Sequence, residues 1–246
     1  MQILEQLKRS VAIAKKDLRI YYFRGPVVIQ GLLIPTFILI SFSYNRGLSF
    51  AGLAPMLLVM ALFFTVSAIT PVIAPWETRM RTFERLVSAP ISLWAILLGD
   101  ILGSVIFGLT ISTIIIGLIT LILGVGVLNF ELILGTIIAA FCFSALGMLI
   151  SAPPADKPSD IMLFSTIVKF AFLFISGIFK PISTLGNLKF LAYLSPLTYY
   201  NDLVKTVIGN VSEIGVKTDL LVLIGFSLVF YFVAYFWHKK NLDKRF

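Results

Sequence analysis

Six long apolar runs divide this chain, and each one is long enough to form a membrane-spanning helix. They cover about residues 26–44, 53–74, 94–123, 132–151, 161–178 and 220–237. Crossing about 30 Å of hydrocarbon takes about 20 largely apolar residues in a helix. Leu and Ile fill these runs without the two-residue alternation of outer-membrane strands. The pattern therefore predicts an all-α integral membrane protein with six transmembrane helices.

Residues 3–22 follow a different pattern, which predicts an amphipathic helix at the membrane interface. Apolar residues recur there at steps of three and four, as on one face of a helix; they are Ile3, Leu7, Val11, Ala14, Leu18 and Tyr21. Most charged side chains of the segment fall off that stripe. Such a helix would lie in the headgroup plane and lead into the first span at Gly25-Pro26. It is either a basic membrane anchor or a contact for a partner protein.

The connection between the fifth and sixth runs, residues 179–219, is too structured for a simple loop. Ser195-Pro196 is typical of a helix start, and Gly209 is well placed as the stop. A shorter piece over 184–194 also has its apolar residues on one side. Backbone at membrane depth must be helical or packed in protein. We therefore expect an outer re-entrant helical hairpin before the last span.

Composition and charge support the membrane assignment and orient the chain. The sequence is 59% hydrophobic and 13% charged, with a mean hydropathy of +0.99, whereas soluble domains are about half apolar and a quarter charged. The net charge is +8, but the basic residues cluster at the ends of the runs, which argues against nucleic-acid binding. Fourteen of the 20 Lys and Arg fall on the side that holds both termini. The positive-inside rule therefore predicts cytoplasmic termini.

The sequence offers little material for catalysis or metal binding. Cys142 and His238 are the only residues of their types, so an intrachain disulfide, a multi-thiolate metal site and a Ser-His-Asp triad are excluded. There is no GxxxxGK(S/T) phosphate loop. Residues 1–24 also lack the pattern of a cleavable signal peptide. We predict no catalytic, cofactor-binding or metal-binding residue and no enzymatic activity.

The loop between the second and third runs, residues 75–93, carries most of the informative charge. Good helix formers predict a short helix over 78–87, where Arg81 and Arg85 would share a face. A short charged helix held between two spans can transmit force to a cytoplasmic partner. The alternative is an ordinary solvated loop that obeys the positive-inside rule.

Two charges fall inside the apolar runs. Lys169 interrupts the fifth run, and Asp100 lies near the start of the third. A charge at the centre of a span costs about 2.5–3.5 kcal/mol on insertion scales. Three roles for Lys169 are therefore open. It pairs with Asp100, its long stem reaches toward the membrane interface, or it lines a substrate path.

Several motifs resemble those of ABC-2-type exporter permeases. The loop region has Glu84-Arg85-Leu86, Ser88-Ala89-Pro90-Ile91-Ser92 and Ile96-Leu97-Leu98-Gly99. The outer segment has Phe179-Lys180-Pro181, Leu194-Ser195-Pro196-Leu197-Thr198-Tyr199-Tyr200 and Asp202-Leu203-Val204-Lys205. The order and spacing of these motifs, with the six runs and the N-terminal helix, extend the resemblance over essentially the whole chain. The chain departs from the usual family residues at Ser195, Lys205 and Asp100.

The resemblance implies a single permease domain over residues 1–246 that works as a dimer. Such permeases form homodimers or pair with a related permease in the plasma membrane, and they move substrate outward. They sit on two copies of a separate ABC ATP-binding subunit, which uses ATP and Mg²⁺, so this chain would bind no cofactor itself. The resemblance assigns the ATPase contact to residues of the charged loop, namely Arg81, Glu84, Arg85 and Leu86. Residues 1–24 would form a second contact.

Two other classes of function compete with this interpretation. A self-contained secondary transporter or channel would need several ionisable residues within the spans, and only Lys169 lies deep. An intramembrane enzyme would need paired catalytic groups at membrane depth, which the sequence lacks. The apolar interior of the bundle, with Ser, Thr and Lys169, slightly favours amphiphilic cargo.

Overall fold

The structure is a computed structural model that describes residues 2–22, 29–46, 50–124, 128–154, 157–209 and 212–242. Most residues in these ranges are helical, and none of them lies in a strand. The predicted all-α membrane fold is confirmed.

The helices lie close to the predicted runs. α1 is Gln2–Asp17, which continues as a π-helical turn over Leu18–Tyr22. A second π-helical turn, Ile29–Leu33, leads into α2. The further helices are α2 (Ile34–Arg46), α3 (Phe50–Arg79), α4 (Thr82–Ser88), α5 (Leu93–Leu123), α6 (Phe130–Ile150), α7 (Pro158–Ile175), α8 (Lys189–Tyr193), α9 (Pro196–Gly209) and α10 (Val216–Lys240).

Five helices in the described part of the chain are long and apolar enough to cross a membrane. They are Gly52–Arg79, Leu93–Ile122, Phe130–Ile150, Pro158–Ile175 and Val216–Lys240. The first predicted span, 26–44, is helical where it is described, but residues 26–28 lie outside the described residues. A sixth span therefore stays a prediction.

α3 forms the centre of the bundle. The most apolar 18-residue window of α3 is 94% buried, whereas that of α10 is 17% buried. The exposed surfaces of α5, α7 and α10 consist largely of Leu, Ile, Val and Phe, which suits contact with lipid rather than water. Glycines allow close packing on α3, since a Cβ at Gly147 would lie 3.2 Å from Pro71 Cδ.

The bundle has two distinct ends. The first, which we call the α4 end, holds α4, α1 and the start of α5, and Leu242 near the C-terminus packs there with Ile13, Phe83 and Ile96. The second, the α9 end, holds α9 and the start of α10. Both described termini therefore lie at the same end, as the positive-inside count requires.

The connection before the last span is helical, as predicted. A 3₁₀ helix over Ile182–Leu188 and the short α8 precede α9. The predicted start at Pro196 and stop at Gly209 are confirmed. The Ser195 hydroxyl donates a 3.4 Å hydrogen bond to the carbonyl of Phe172, which ties the start of α9 to α7.

Candidate functional site

A short helix forms within the predicted range 78–87, but the prediction of one continuous helix is wrong, because a turn interrupts it. α3 continues to Arg79, and α4 begins only at Thr82. Arg81 between them has a φ of 55°, a left-handed conformation that costs a non-glycine residue about 1–2 kcal/mol. Its amide donates to Thr78 O at 3.0 Å. Arg81 and Arg85 therefore do not lie on one face of a continuous helix.

Phe83 anchors α4 to the bundle. Its side chain is 1% exposed and packs against Ile13 of α1 and Ile96 of α5. Full burial of a Phe side chain stabilises a fold by about 1.5–3 kcal/mol, so α4 is held rather than free. Sequence reasoning missed this residue, although a lone Phe among charged neighbours was a usable signal.

Of the four predicted contact residues, Arg81 lies in the turn before this anchored helix, and the other three lie on the helix. Arg81 and Arg85 are exposed, and Glu84 and Leu86 are half-buried. None of the three charged residues forms an ion pair with another residue in the described ranges. Leu86 also packs partly against Phe83. α4 thus presents unpaired charge at the α4 end of the bundle.

α1 is clamped to the segment that joins α4 and α5. The Gln6 side-chain amide donates to Pro90 O at 3.3 Å, and its oxygen accepts from Ser92 N at 2.9 Å. One turn later, the Ser10 hydroxyl donates to Ala95 O at 2.7 Å. These hydrogen bonds hold α1 against the connecting segment and the start of α5.

Two glycines of α5 let α1 approach its backbone. A Cβ at Gly99 would lie 2.7 Å from both Ser10 O and Ile13 Cβ, and one at Gly103 would lie 3.3 Å from Asp17 Cβ. Small residues at spacings of four are the usual means by which helices approach closely. The stripe Ala95, Gly99 and Gly103 was a sequence signal for this contact. The predicted surface helix is therefore bound to the bundle along one face, while Ile3 and Val11 stay exposed.

A buried charged cluster lies where α1, α3 and α5 meet. The Lys16 ammonium is hydrogen-bonded to Glu77 and lies 3.0 Å from the Asp17 carboxylate. Asp100 of α5 is fully buried next to Asp17. Because three carboxyl groups surround one ammonium, the cluster has an excess of negative charge when all are ionised.

Two residues of α1 in this cluster, Lys16 and Asp17, have shifted pKa values. Burial by itself lowers the pKa of Lys16, but the charges of Asp100, Asp17 and Glu77 outweigh it and raise this pKa above its ordinary value. Burial raises the pKa of Asp17, and Lys16 only partly opposes this. Lys16 is therefore held as a cation, and the proton of Asp17 is held more tightly than in water.

Asp100 and Lys169 do not pair, so this alternative for Lys169 is wrong. Asp100 lies in the cluster at the α4 end, whereas Lys169 donates a 3.0 Å hydrogen bond to Ser67 O in the middle of α3. Lys169 is 4% exposed, so its stem does not carry the ammonium to water either.

Asp202 organises the α9 end. Its carboxylate accepts hydrogen bonds from the backbone amides of Glu213 (2.8 Å), Ile214 (3.0 Å) and Gly215 (3.2 Å). These amides lie just before α10, so Asp202 ties α9 to the last span. Sequence reasoning named Asp202 only as part of a motif and did not predict this role.

The family model described as ABC-2 type transporter matches residues 2–208, which include α1 through α9 except the last residue of α9. The chain belongs to the ABC-2 type transporter family, and it is a membrane component of ABC transport. A search of curated proteins found no match.

Proposed function

We propose that this chain is the membrane-spanning permease subunit of an ATP-driven exporter. One observation carries the proposal: α4 is anchored by Phe83 yet presents Arg81, Glu84 and Arg85 without ion-pair partners among the described residues. An anchored helix with unpaired charges is suited to a partner of complementary charge. The partner we infer is a separate ABC ATP-binding subunit, which binds ATP and Mg²⁺.

The connections of α4 explain how force would reach the spans. α4 follows the central helix α3 after a two-residue turn, and it leads into α5 through a segment that Gln6 clamps to α1. A push on α4 would therefore move α1, α3 and α5 together. Two copies of this chain, or one copy with a related permease, would rearrange in this way to release substrate outward.

The proposal needs the α4 end to face the cytoplasm. In a Cys142→Ser background, a cysteine introduced at Thr82 should be protected from an impermeant thiol reagent added outside the cell. A cysteine at Thr184, which is exposed near the α9 end, should be labelled. Labelling at position 82 from outside would reverse the orientation and exclude α4 as an ATPase contact.

A double charge reversal tests the coupling role itself. Glu84→Lys with Arg85→Glu leaves the net charge unchanged, so insertion should be normal. Docking should fail, because like charges placed opposite each other at an interface cost several kcal/mol. The measurements are membrane abundance, recovery of the co-expressed ATP-binding subunit in a pull-down, and ATP hydrolysis by the reconstituted complex.

A matched control lies at the other end of the bundle. Glu131 and Lys217 are both exposed near the α9 end, and Glu131→Lys with Lys217→Glu makes the same changes in charge. This variant should retain the ATP-binding subunit. If the α4 variant also retains it at normal abundance with unchanged hydrolysis, Glu84 and Arg85 are ordinary solvated charges.

A further inference from the structure

A groove of about 600 Å³ separates α5 and α6 in the halves nearest the α9 end. Its volume falls within the range of about 300–1,000 Å³ that is typical of small-molecule sites. The side chains that line it carry no charge; they include Leu109, Ile116, Leu121, Ile133 and Ile137. Several of these are exposed on the lipid-facing surface, so the groove opens toward the hydrocarbon.

Side chains of α5 and α6 are hydrogen-bonded to each other in the halves of the two helices that lie away from the groove. There, the hydroxyls of Ser104 and Ser144 are hydrogen-bonded to each other between the two helices. In the groove, Gly117 interrupts the surface of α5, and a Cβ placed on it would meet no atom within 4 Å. A larger residue at position 117 would therefore fill the groove without displacing the protein.

Two hydroxyls in the groove lack hydrogen-bond partners in the described part of the chain. They are Ser112 Oγ and Thr120 Oγ1, and Ser112 is 1% exposed. Other hydroxyls of α5 bond to their own helix, since Thr110 donates to Ile106 O and Thr113 to Leu109 O. A buried hydroxyl without a partner costs about 1–3 kcal/mol, and no water is available in hydrocarbon. An occupant with oxygen acceptors would remove that cost.

The positions of the two hydroxyls set the spacing of those acceptors. Thr120 lies one turn from the end of α5, and Ser112 lies eight residues before it. At 1.5 Å per residue, the two are about 12 Å apart along the helix axis. One carbonyl cannot reach both of them.

We propose that the groove binds an uncharged amphiphile from the surrounding leaflet, whose alkyl chain lies along Gly117 and carries two oxygen functions. One oxygen, near the head of the molecule, accepts from Thr120. The other, partway along the chain, accepts from Ser112. A second copy of this chain fits the groove less well. In a two-fold dimer the same surface of each copy faces the other, so two grooves would face each other and neither would be filled. The proposal does not depend on the ATPase partner.

Two matched photoactivatable diacylglycerols test the proposal with the purified protein in phosphatidylcholine vesicles. One carries a plain stearoyl chain, and the other a stearoyl chain with a mid-chain hydroxyl, each with a diazirine at the chain end. Labelling is mapped by mass spectrometry to residues 109–137. One added hydrogen bond should raise labelling by the hydroxylated probe about threefold to tenfold over the plain probe.

Variants separate the groove from general lipid contact. Gly117→Phe should abolish the preferential labelling, whereas Gly225→Phe should not, because Gly225 also faces open space but lies on α10, away from the groove. Ser112→Ala should lower labelling by the hydroxylated probe to the plain level. Equal labelling by both probes, or no effect of Gly117→Phe, would overturn the proposal. Conversion of a dimer to a monomer by Gly117→Phe would also overturn it, because the groove would then be a protein interface.

Discussion

The Lys169 ammonium donates a 3.0 Å hydrogen bond to the backbone carbonyl of Ser67. In a regular helix that carbonyl would accept from the amide of residue 71. Residue 71 is a proline inside α3 and has no N–H to donate. Lys169 thus supplies the donor that Pro71 removes, at a point in the bundle where water is absent. The sequence suggested a carboxylate partner, the membrane interface or a substrate path for the Lys169 ammonium, but not a backbone carbonyl as its partner.

The first prediction follows from this replacement of a donor. Lys169→Met leaves Ser67 O without a partner, at a cost of about 1–3 kcal/mol. Pro71→Ala restores the helical amide, so the same Lys169→Met change should cost less in that background. Thermal unfolding of the four proteins in a double-mutant cycle measures the coupling. A coupling of zero would show that the ammonium does not satisfy this carbonyl.

The second prediction concerns the close approach of α1 and α5. Gly99→Ala would place a Cβ 2.7 Å from Ser10 O, which forces α1 away from α5 and weakens the Ser10 and Gln6 hydrogen bonds. Amide hydrogen exchange within α1 should become faster. Gly117→Ala is the matched control, since its Cβ meets no atom within 4 Å. Unchanged exchange in Gly99→Ala would mean that α1 is not held by this contact.

The third prediction uses the raised pKa of Asp17. The folded protein holds the Asp17 proton to a higher pH than the unfolded chain, so stability falls as the pH rises from about 4 through the raised pKa. Asp17→Asn removes this effect and offers Asp100 an N–H donor, so it should raise the thermal midpoint at pH 7 but not near pH 4.

Asp160→Asn makes the same chemical change at an exposed aspartate in the first turn of α7 and serves as the control. Its thermal midpoint should match that of the unmodified protein at both pH values. Destabilisation by Asp17→Asn at pH 7 would show that the ion pair of Asp17 with Lys16 outweighs the cost of burial.

The fourth prediction concerns Asp202. Asp202→Ala leaves three backbone amides before α10 without their acceptor, and each such loss costs about 1–3 kcal/mol. Hydrogen exchange at residues 213–215 should accelerate, and the thermal midpoint should fall. Asp202→Asn keeps one oxygen acceptor and should show a smaller effect. An exposed aspartate in the first turn of α7, Asp160, provides a control, and its replacement by Ala should leave both measurements unchanged.

Much of the fold could be predicted from the sequence. Long apolar runs located α3, α5, α6, α7 and α10 within a few residues, because a helix in lipid must be apolar along its whole length. The start of α9 at Pro196 and its end at Gly209 were also readable, since both residues act through their own backbone geometry. These signals are local, and they need no knowledge of the neighbouring helices.

The break at Arg81 was not readable, and neither was the partner of any buried charge. Residues 78–87 have good helix propensity, but Phe83 must enter the pocket between Ile13 and Ile96, and this burial outweighs one left-handed residue. Lys16 meets Glu77 across 61 residues, and Lys169 meets Ser67 across 102. The sequence by itself determined which segments enter the membrane, because transfer into lipid depends on the side chains of one segment. Only the tertiary structure decided which charges, carbonyls and glycines meet, because those contacts depend on how separate helices pack.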